Sequence, residues 1–296
     1  MDRLACDRMF AAVIEAGSFA AAAQRLGTSP GQASKLVARL ESDLGVRLLH
    51  RTTRALQPTE AGQAYFGRLR TLLDDYDALD SEMRDATGAP RGKVRMTAPL
   101  SFGTIRLAPL LAAFARDNPG IALDVQFSDR LVALVEEGFD LAVRVGRPQD
   151  SALVARRLGE ARLLVVGSPA YLERQGRPRR PEDLARHDCI LDTNLRDPAR
   201  WPFRGGARAP VSGRLAFSDA TACLAAAEAG LGLALSPDFV ALPALAAGRV
   251  EAVLGDHADE PIPVHALTPS GRHLPARTRL LIEALARGLK AGADRR

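Results

Sequence analysis

The sequence predicts a mixed architecture: an N-terminal winged helix-turn-helix, a long linker helix and a C-terminal α/β domain of two lobes. Three patterns predict it. Before residue 58, short apolar-periodic segments are separated by glycines and followed by a basic hairpin. From 61 to 83, apolar residues recur at near-heptad spacing. From 93 onward, strand-like and helix-like segments alternate.

The first helix is set by Leu4, Phe10, Val13 and Ile14 and closed by Gly17. Ser18 stands at the N-cap of a second helix that Gly27 ends. Thr28 and Ser29 are cap candidates for the third, with Pro30 in its first turn, Leu36, Val37 and Leu40 as its buried stripe and Gly45 as its stop. A short helix, a glycine turn and a second helix make the helix-turn-helix pattern. The alanines at 20–23 suit close helix packing, which by itself is the commoner reason for them. Residues 46–58 then read as two short strands around the basic turn His50-Arg51-Thr52-Thr53-Arg54. Such a tip suits phosphate or minor-groove contact, or is a solvated turn.

Thr59 caps a helix expected to reach about Thr87. Its apolar positions, Ala61, Tyr65, Leu69, Leu72, Tyr76, Leu79 and Met83, form a coiled-coil seam. About 43 Å of helix with one apolar stripe calls for a partner, and a second copy of the chain is the simplest one. Gly88-Ala89-Pro90 ends it as a hinge. Strands are expected at 94–98, 121–127, 141–145, 163–167, 189–191 and 231–235, and helices at 105–116, 130–137 and 220–229, giving a largely parallel sheet. About 200 residues exceed one sheet, so two lobes around a cleft are expected. The domain limits are 1–58, 59–90 and 91–296, with lobe I near 91–161 and 267–296 and lobe II near 162–266.

Composition narrows the function. With 47% hydrophobic and 25% charged residues the chain reads as ordinary globular protein. No run of eighteen uncharged apolar residues exists, and the start lacks the features of a signal peptide, so no membrane and a cytoplasmic location are expected. The net charge of +5 is unevenly spread. Arg25, Lys35, Arg39, Arg47, Arg51 and Arg54 face only Glu41 and Asp43 before residue 58, whereas seven acids face three arginines over 59–88. A basic block suits a polyanion. Cys6, Cys189 and Cys223 are widely separated, and the five histidines have no ligand spacing, so no metal and no cofactor are expected.

Residues 1–88 resemble the N-terminal half of the LysR-type transcriptional regulators. The matching text runs Phe10…Gly17-Ser18-Phe19…Ala21-Ala22-Ala23…Leu26-Gly27…Ser29-Pro30…Ser34-Lys35…Leu40-Glu41…Leu44-Gly45-Val46…Leu48-Leu49…Arg51-Thr52…Leu56…Thr59-Glu60-Ala61-Gly62. The stretches 140–146 and 261–265 resemble that family's effector domain, so the likeness covers essentially the whole chain. It implies a two-lobed fold like type 2 periplasmic binding proteins, a small-molecule effector in the cleft, and dimers through the linker helix or tetramers. Double-stranded DNA is the implied partner, with RNA polymerase added if the protein activates. Gly31 and His50 depart from the family pattern.

The candidate DNA contacts are Ser18, Ser29, Pro30, Gln32, Ser34, Lys35 and Arg39 from the helices, and Arg51, Thr52, Thr53 and Arg54 from the hairpin. Gln32 can read an adenine edge, and Lys35 can reach guanine or phosphate. The candidate effector contacts follow strand ends: Pro99, Leu100, Ser101 and Phe102; Phe127 and Ser128; Leu235, Ser236 and Pro237; Asp192, Thr193 and Ser218 close the far lobe. The resemblance places the effector's polar group at Ser101. Hydroxyls at helix starts favour a carboxylate, though the same groups serve as ordinary caps. Arg144 has two readings, as counter-charge to such a ligand or as partner of Asp140.

Two other functions compete. An enzyme would show a catalytic motif, and no HExxH, P-loop or GxGxxG is present. A transport binding protein would share the lobes but not the basic N-terminal block. A regulator triggered by oxidation of Cys189 or Cys223 would differ only in its trigger.

Overall fold

The first three helices begin where the sequence supplies a short polar side chain and stop at or next to a glycine. The computed structural model describes residues 2–51, 56–84, 90–130, 132–146, 153–270 and 274–293. Helices α1 (Arg3–Ala16), α2 (Phe19–Arg25) and α3 (Pro30–Leu44) are capped by Asp2, Ser18 and Ser29, whose side-chain oxygens accept the N–H of Leu4, Ala21 and Gln32. Gly17 and Gly45 end α1 and α3 at φ 63° and 68°, where a side chain would be strained. Phe10, Val13, Ala22, Ala33, Val37 and Leu40 close into one core. Ala22 and Ala23 are the buried half of the alanine run and let α2 come close to its neighbours. Strand β1 (Leu49–Arg51) pairs antiparallel with β2 (Leu56–Pro58), forming the expected wing. Thr52, Thr53, Arg54 and the expected hinge at 88–89 lie outside the described residues.

The linker helix α4 (Glu60–Arg84) starts on Thr59, whose Oγ1 accepts the Gly62 N–H at 2.9 Å. Its seam divides. Leu69 is buried and Tyr65 packs on Phe10 at 5.8 Å, so the first half covers the protein's own N-terminal core. Leu72, Tyr76 and Leu79 are 61%, 44% and 54% exposed and form a separate outward stripe.

The C-terminal elements are β3 (Gly92–Ala98); α5 (Leu100–Phe102), which passes through a π-helical turn (Gly103–Leu107) into α6 (Ala108–Asp117); β4 (Ile121–Phe127), β5 (Leu141–Val145), β6 (Leu153–Ala161) and β7 (Leu163–Gly167). Then come α7 (Pro169–Gln175), β8 (Cys189–Asp192), the β9 (Arg200–Pro202)–β10 (Arg208–Pro210) hairpin, β11 (Leu215–Phe217), α8 (Ala220–Glu228) and β12 (Leu233–Pro237). The chain finishes with α9 (Asp238–Ala246), β13 (Glu251–Val253), β14 (Ile262–Pro269) and α10 (Ala276–Ala293). Two five-stranded sheets form the lobes, in the orders β4-β3-β5-β14-β6 and β11-β8-β12-β7-β13.

The sheets are mixed rather than largely parallel. β3 runs parallel to β4 and β5, but β14 runs antiparallel to β5 and β6. β8 runs parallel to β11 and β12, but β7 runs antiparallel to β12 and β13. A parallel pair needs a crossover element. β6 leads straight into β7 of the other sheet, and β14 returns from that lobe, so these strands dock antiparallel. β14 already belongs to the first sheet from Ile262, ahead of the boundary expected near 267.

Two element expectations shift. The helix expected at 130–137 is reduced to a turn at 134–138. The Glu137 carboxylate takes the Ala133 N–H and the Arg130 guanidinium, and Gly138 at φ 71° ends the turn. The strand expected at 231–235 begins instead at Leu233, because the Leu231 N–H still bonds Ala226 O in the turn that ends α8.

Candidate functional site

Two polar surfaces stand out. The first lies on α3. Its buried stripe is Ala33, Leu36, Val37, Leu40 and Glu41, which leaves Gln32, Lys35 and Arg39 on the outward side at steps of three and four. Lys35 and Arg39 are exposed, and Gln32 and Ser34 are partly exposed. Arg39 pairs with Asp43 at 2.9 Å, one turn along. Among the described residues Lys35 makes no ion pair within 4 Å.

Ser18 and Ser29 are occupied as helix caps, each accepting a backbone N–H at 3.2 Å. Their hydroxyl protons remain available to a phosphate. The pentapeptide Gly27-Thr28-Ser29-Pro30-Gly31 has the letters GxSxG. A nucleophile elbow needs those letters between a strand and a helix, whereas here they join two helices.

Glu41 is absent from the expected contacts, because its sequence neighbourhood shows an acid in a basic block and gives no sign of the backbone groups it meets. Its buried Oε1 accepts the N–H of Leu48 at 2.8 Å and of Leu49 at 3.1 Å, and Arg47 reaches Oε2 at 3.4 Å. It therefore fixes the wing to the back of α3. A side chain at Gly62 would collide with the Leu48 carbonyl, so α4 seats directly on the same corner.

The second surface is the mouth between the sheets. Leu100 N–H donates to Asp129 Oδ1 at 3.2 Å, and Asn194 Nδ2 donates from the other lobe to Asp129 Oδ2 at 3.2 Å. Asn194 also reaches Ser218 O at 2.5 Å, and Thr193 Oγ1 reaches Phe217 O at 3.2 Å. The turns after β3, β4, β8 and β11 thus meet, bringing Leu100, Thr193 and Ser218 into one hydrogen-bonded group. Pro99 and Ser101 flank Leu100, Ser128 adjoins Asp129 and Asp192 closes β8. Asp129 and Asn194, the residues that join the lobes, were absent from the expected contacts. Their signal was position only, one residue beyond Ser128 and Thr193.

Phe102 and Leu235 are not at that mouth surface. Phe102 is withdrawn against Phe239, edge-on at 5.2 Å, and Leu235 packs in the second-lobe core. The alternation of β12 turns Leu235 inward. Ser236 is fully buried, its hydroxyl near Pro237 O at 3.4 Å.

Charge at the mouth is unbalanced. Burial pushes the Asp192 carboxyl up, and nearby Asp129 and Asp219 push it further, while the Asn194 N–H opposes them. Among the described residues Arg144 donates to carbonyls, Val143 O at 3.4 Å and Arg130 O at 3.2 Å. Burial lowers its proton affinity, and the Asp129 charge partly restores it. The acid that acts on Arg144 is therefore Asp129. Asp140 instead accepts the Arg95 N–H at 2.8 Å. Cys189 and Cys223 are buried, and burial pushes both thiols up to about 12. Thiols so far from ionised at neutral pH are poor redox triggers.

The mouth is joined to α4 through contacts. Arg144 holds the Arg130 carbonyl, Arg130 pairs with Glu137, and the neighbouring Glu136 carbonyl sits where any side chain at Gly67 would collide.

Family models match two parts of the chain. The bacterial regulatory helix-turn-helix protein model of the lysR family covers residues 8–63, and the LysR substrate binding domain covers residues 87–290. An uncharacterised HTH-type transcriptional regulator of Haemophilus influenzae is 36% identical over 93% of this chain and 96% of its own length. The HTH-type transcriptional regulator PtxR of Pseudomonas aeruginosa is 37% identical over 93% of this chain and 89% of its own. The solved structure of CrgA, a LysR-type transcriptional regulator from Neisseria meningitidis, superposes with a TM-score of 0.60 at 32% identity, covering 95% of this chain and 98% of CrgA.

Proposed function

The chain belongs to the LysR family and is a DNA-binding transcriptional regulator with a substrate-binding domain; from that premise we propose that it reads a two-fold operator as a homodimer and answers to a small carboxylate. The observation that carries the DNA contacts is the outward row Gln32, Lys35 and Arg39 on a helix capped at its entry and braced against a wing. The row enters the major groove, Gln32 facing an adenine edge and Lys35 a guanine or phosphate, while the wing residues Arg51, Thr52, Thr53 and Arg54 meet the backbone. The exposed stripe Leu72, Tyr76 and Leu79 supports pairing of two α4 helices.

The effector reading rests on Asp129. Its carboxylate occupies the Leu100 N–H beside Ser101 and Ser128, so that backbone position accepts a carboxylate already. An effector carboxylate takes this place, releases Asp129 from Asn194 and uses Arg144 as its counter-charge. The lobes then reset, and Arg130, Glu137 and the turn against Gly67 carry the change to α4. The altered dimer changes the bend or spacing of the bound DNA.

Genomic fragments selected with the purified protein and footprinted at two salt concentrations test the DNA reading. A two-fold site with half-sites about one helical turn apart, bound less tightly at higher salt, is expected. Equal weak binding by the parent, Lys35→Ala and Arg51→Ala would remove the N-terminal reader. Calorimetry with aromatic and aliphatic carboxylates tests the effector. Heat that disappears in Arg144→Gln supports the assignment, and silence across the panel with folded protein ends it.

A further inference from the structure

A cavity of about 220 Å³ lies beside the lobe junction, and it shares only Phe102 with the expected effector contacts. Phe102, Val264 and Leu289 of the first lobe and Phe239 of α9 make its apolar wall. The edge-on Phe102–Phe239 pair forms part of that wall, so the cavity touches a contact between elements that follow different sheets. Its rim is cationic. Arg157 is matched by Glu160 at 2.9 Å, but Arg106 and Lys290 make no ion pair within 4 Å among the described residues. Asp238 feels the Arg106 charge at longer range.

Two backbone irregularities and one helical glycine converge on this space. Arg106 sits in the π-helical turn Gly103–Leu107, a form found frequently at functional sites. The β6–β14 register slips at Val264/His265, so that Val264 faces Gly159 and His265 faces Arg157, leaving Leu158 as the extra residue. Residues three apart on a regular strand point to opposite faces. The bulge instead lets Arg157 and Glu160 meet at the same rim. Gly159 lines the cavity, and a side chain added there would meet nothing within 4 Å. Finally, a Cβ at Gly292 would lie 2.9 Å from Arg106 Nη2, so a glycine on α10 leaves room for that guanidinium. Core packing explains none of the three together, since each opens or furnishes a void rather than filling one.

We propose that this cavity is a second small-molecule site, taking a compact organic anion whose single apolar ring lies against Phe102, Phe239, Val264 and Leu289 while its carboxylate meets Arg106 and Lys290. An occupant bears directly on Phe239 and so on the angle between the lobes. The site stands independently of the cleft effector.

The test is a fluorine NMR titration of the full chain with 4-fluorophenylacetate, alongside neutral 4-fluorobenzyl alcohol. Saturable binding of the acid is expected, with the alcohol bound at least about tenfold more weakly because it lacks the charge-assisted bonds. Gly159→Leu fills the cavity, and Arg106→Gln with Lys290→Gln removes its charge; each lowers affinity for the acid by about tenfold or more. All titrations are repeated in an Arg144→Gln background, which removes the carboxylate site proposed at the cleft mouth and leaves this cavity, whose lining lacks Arg144, in place. The charge variant decides the matter if Gly159→Leu does not fold. In that background, no saturable binding, or binding that survives the charge variant, overturns the proposal. Saturable binding by the parent that is lost in Arg144→Gln alone overturns the second site while supporting the cleft.

Discussion

The corner where the wing meets α3 and the mouth between the lobes each bury a carboxylate, and they treat it in opposite ways. Glu41, 5% exposed, is matched by two backbone N–H groups and Arg47. Asp192, 7% exposed, receives one backbone N–H and has Asp129 and Asp219 as like-charged neighbours. The first corner is complete as it stands, and its polar groups are spent on holding a shape. At the mouth, Asp192 keeps like-charged neighbours and, among the described residues, a single backbone N–H to hold its carboxylate.

The largest test of that contrast is Glu41→Ala. It strands two buried N–H groups at about 1–3 kcal/mol each, so a loss of about 3 kcal/mol or more is expected in urea unfolding. Hydrogen exchange should locate the loss at Leu48, Leu49 and the end of α3. A loss under about 1 kcal/mol would break the comparison, because the corner would then be no better satisfied than the mouth.

Substitutions on the reading face should behave differently, since those side chains hold nothing up. Gln32→Ala and Lys35→Ala should leave the unfolding midpoint unchanged. Each should cost about 1–3 kcal/mol in discrimination or affinity, measured by competition between the footprinted site and base-substituted versions. Gln32→Ala should relax specificity at one base pair. Lys35→Ala does the same if it meets guanine, and weakens all sequences alike if it meets phosphate.

The same contrast explains what could be read from the sequence. The N-terminal elements are local: Ser18, Ser29, Gly17 and Gly45 mark their own boundaries within a turn of where they act. The strands at 94–98, 121–127, 141–145 and 163–167 carry continuous or alternating apolar runs and are in place. β6 escaped notice because it is an edge strand with Val154, Ala155, Arg156 and Arg157 all exposed, which reads as a loop. β14 contains Pro263 and Pro269, which argue against a strand, yet its partners accept it in a bulged ladder. The mouth is the least legible part. Asp129 and Asn194 lie 65 positions apart and meet only because β4 and β8 end on the same side of two different sheets. Nothing in their neighbourhoods announces that meeting. The half-and-half split of the α4 seam is equally invisible, since one periodicity serves two different partners.

Asp192 offers a sharper test with a smaller effect. Burial and two neighbouring acids raise its proton affinity, so protonation favours the folded state. That contribution is full below the ordinary value of 3.8 and fades as pH climbs through the raised value. Asp192→Asn removes the charge but keeps an acceptor for the Asn194 N–H. The variant should melt higher than the parent at about pH 7, with the gap narrowing as pH falls toward about 4. A variant that melts lower at neutral pH would mean that Asp192 is as well satisfied as Glu41.

The smallest effect separates the two duties within α3 itself. Arg39 is 63% exposed and tied to Asp43 at 2.9 Å, an exposed pair one turn apart. Such a pair contributes about 0.3–0.5 kcal/mol, so Asp43→Ala should barely move the melting temperature. Its consequence for DNA is larger than for folding. Without Asp43, Arg39 is free to follow a phosphate, and a negative charge leaves the binding face. If Arg39 then gains a phosphate, the slope of log affinity against log salt should steepen by about 0.9, with tighter binding at low salt. If the parent already makes that contact, Arg39→Ala should flatten the slope by the same amount while Asp43→Ala leaves it alone. An unchanged slope in both variants makes Arg39 a bystander and confines the reading face to Gln32 and Lys35.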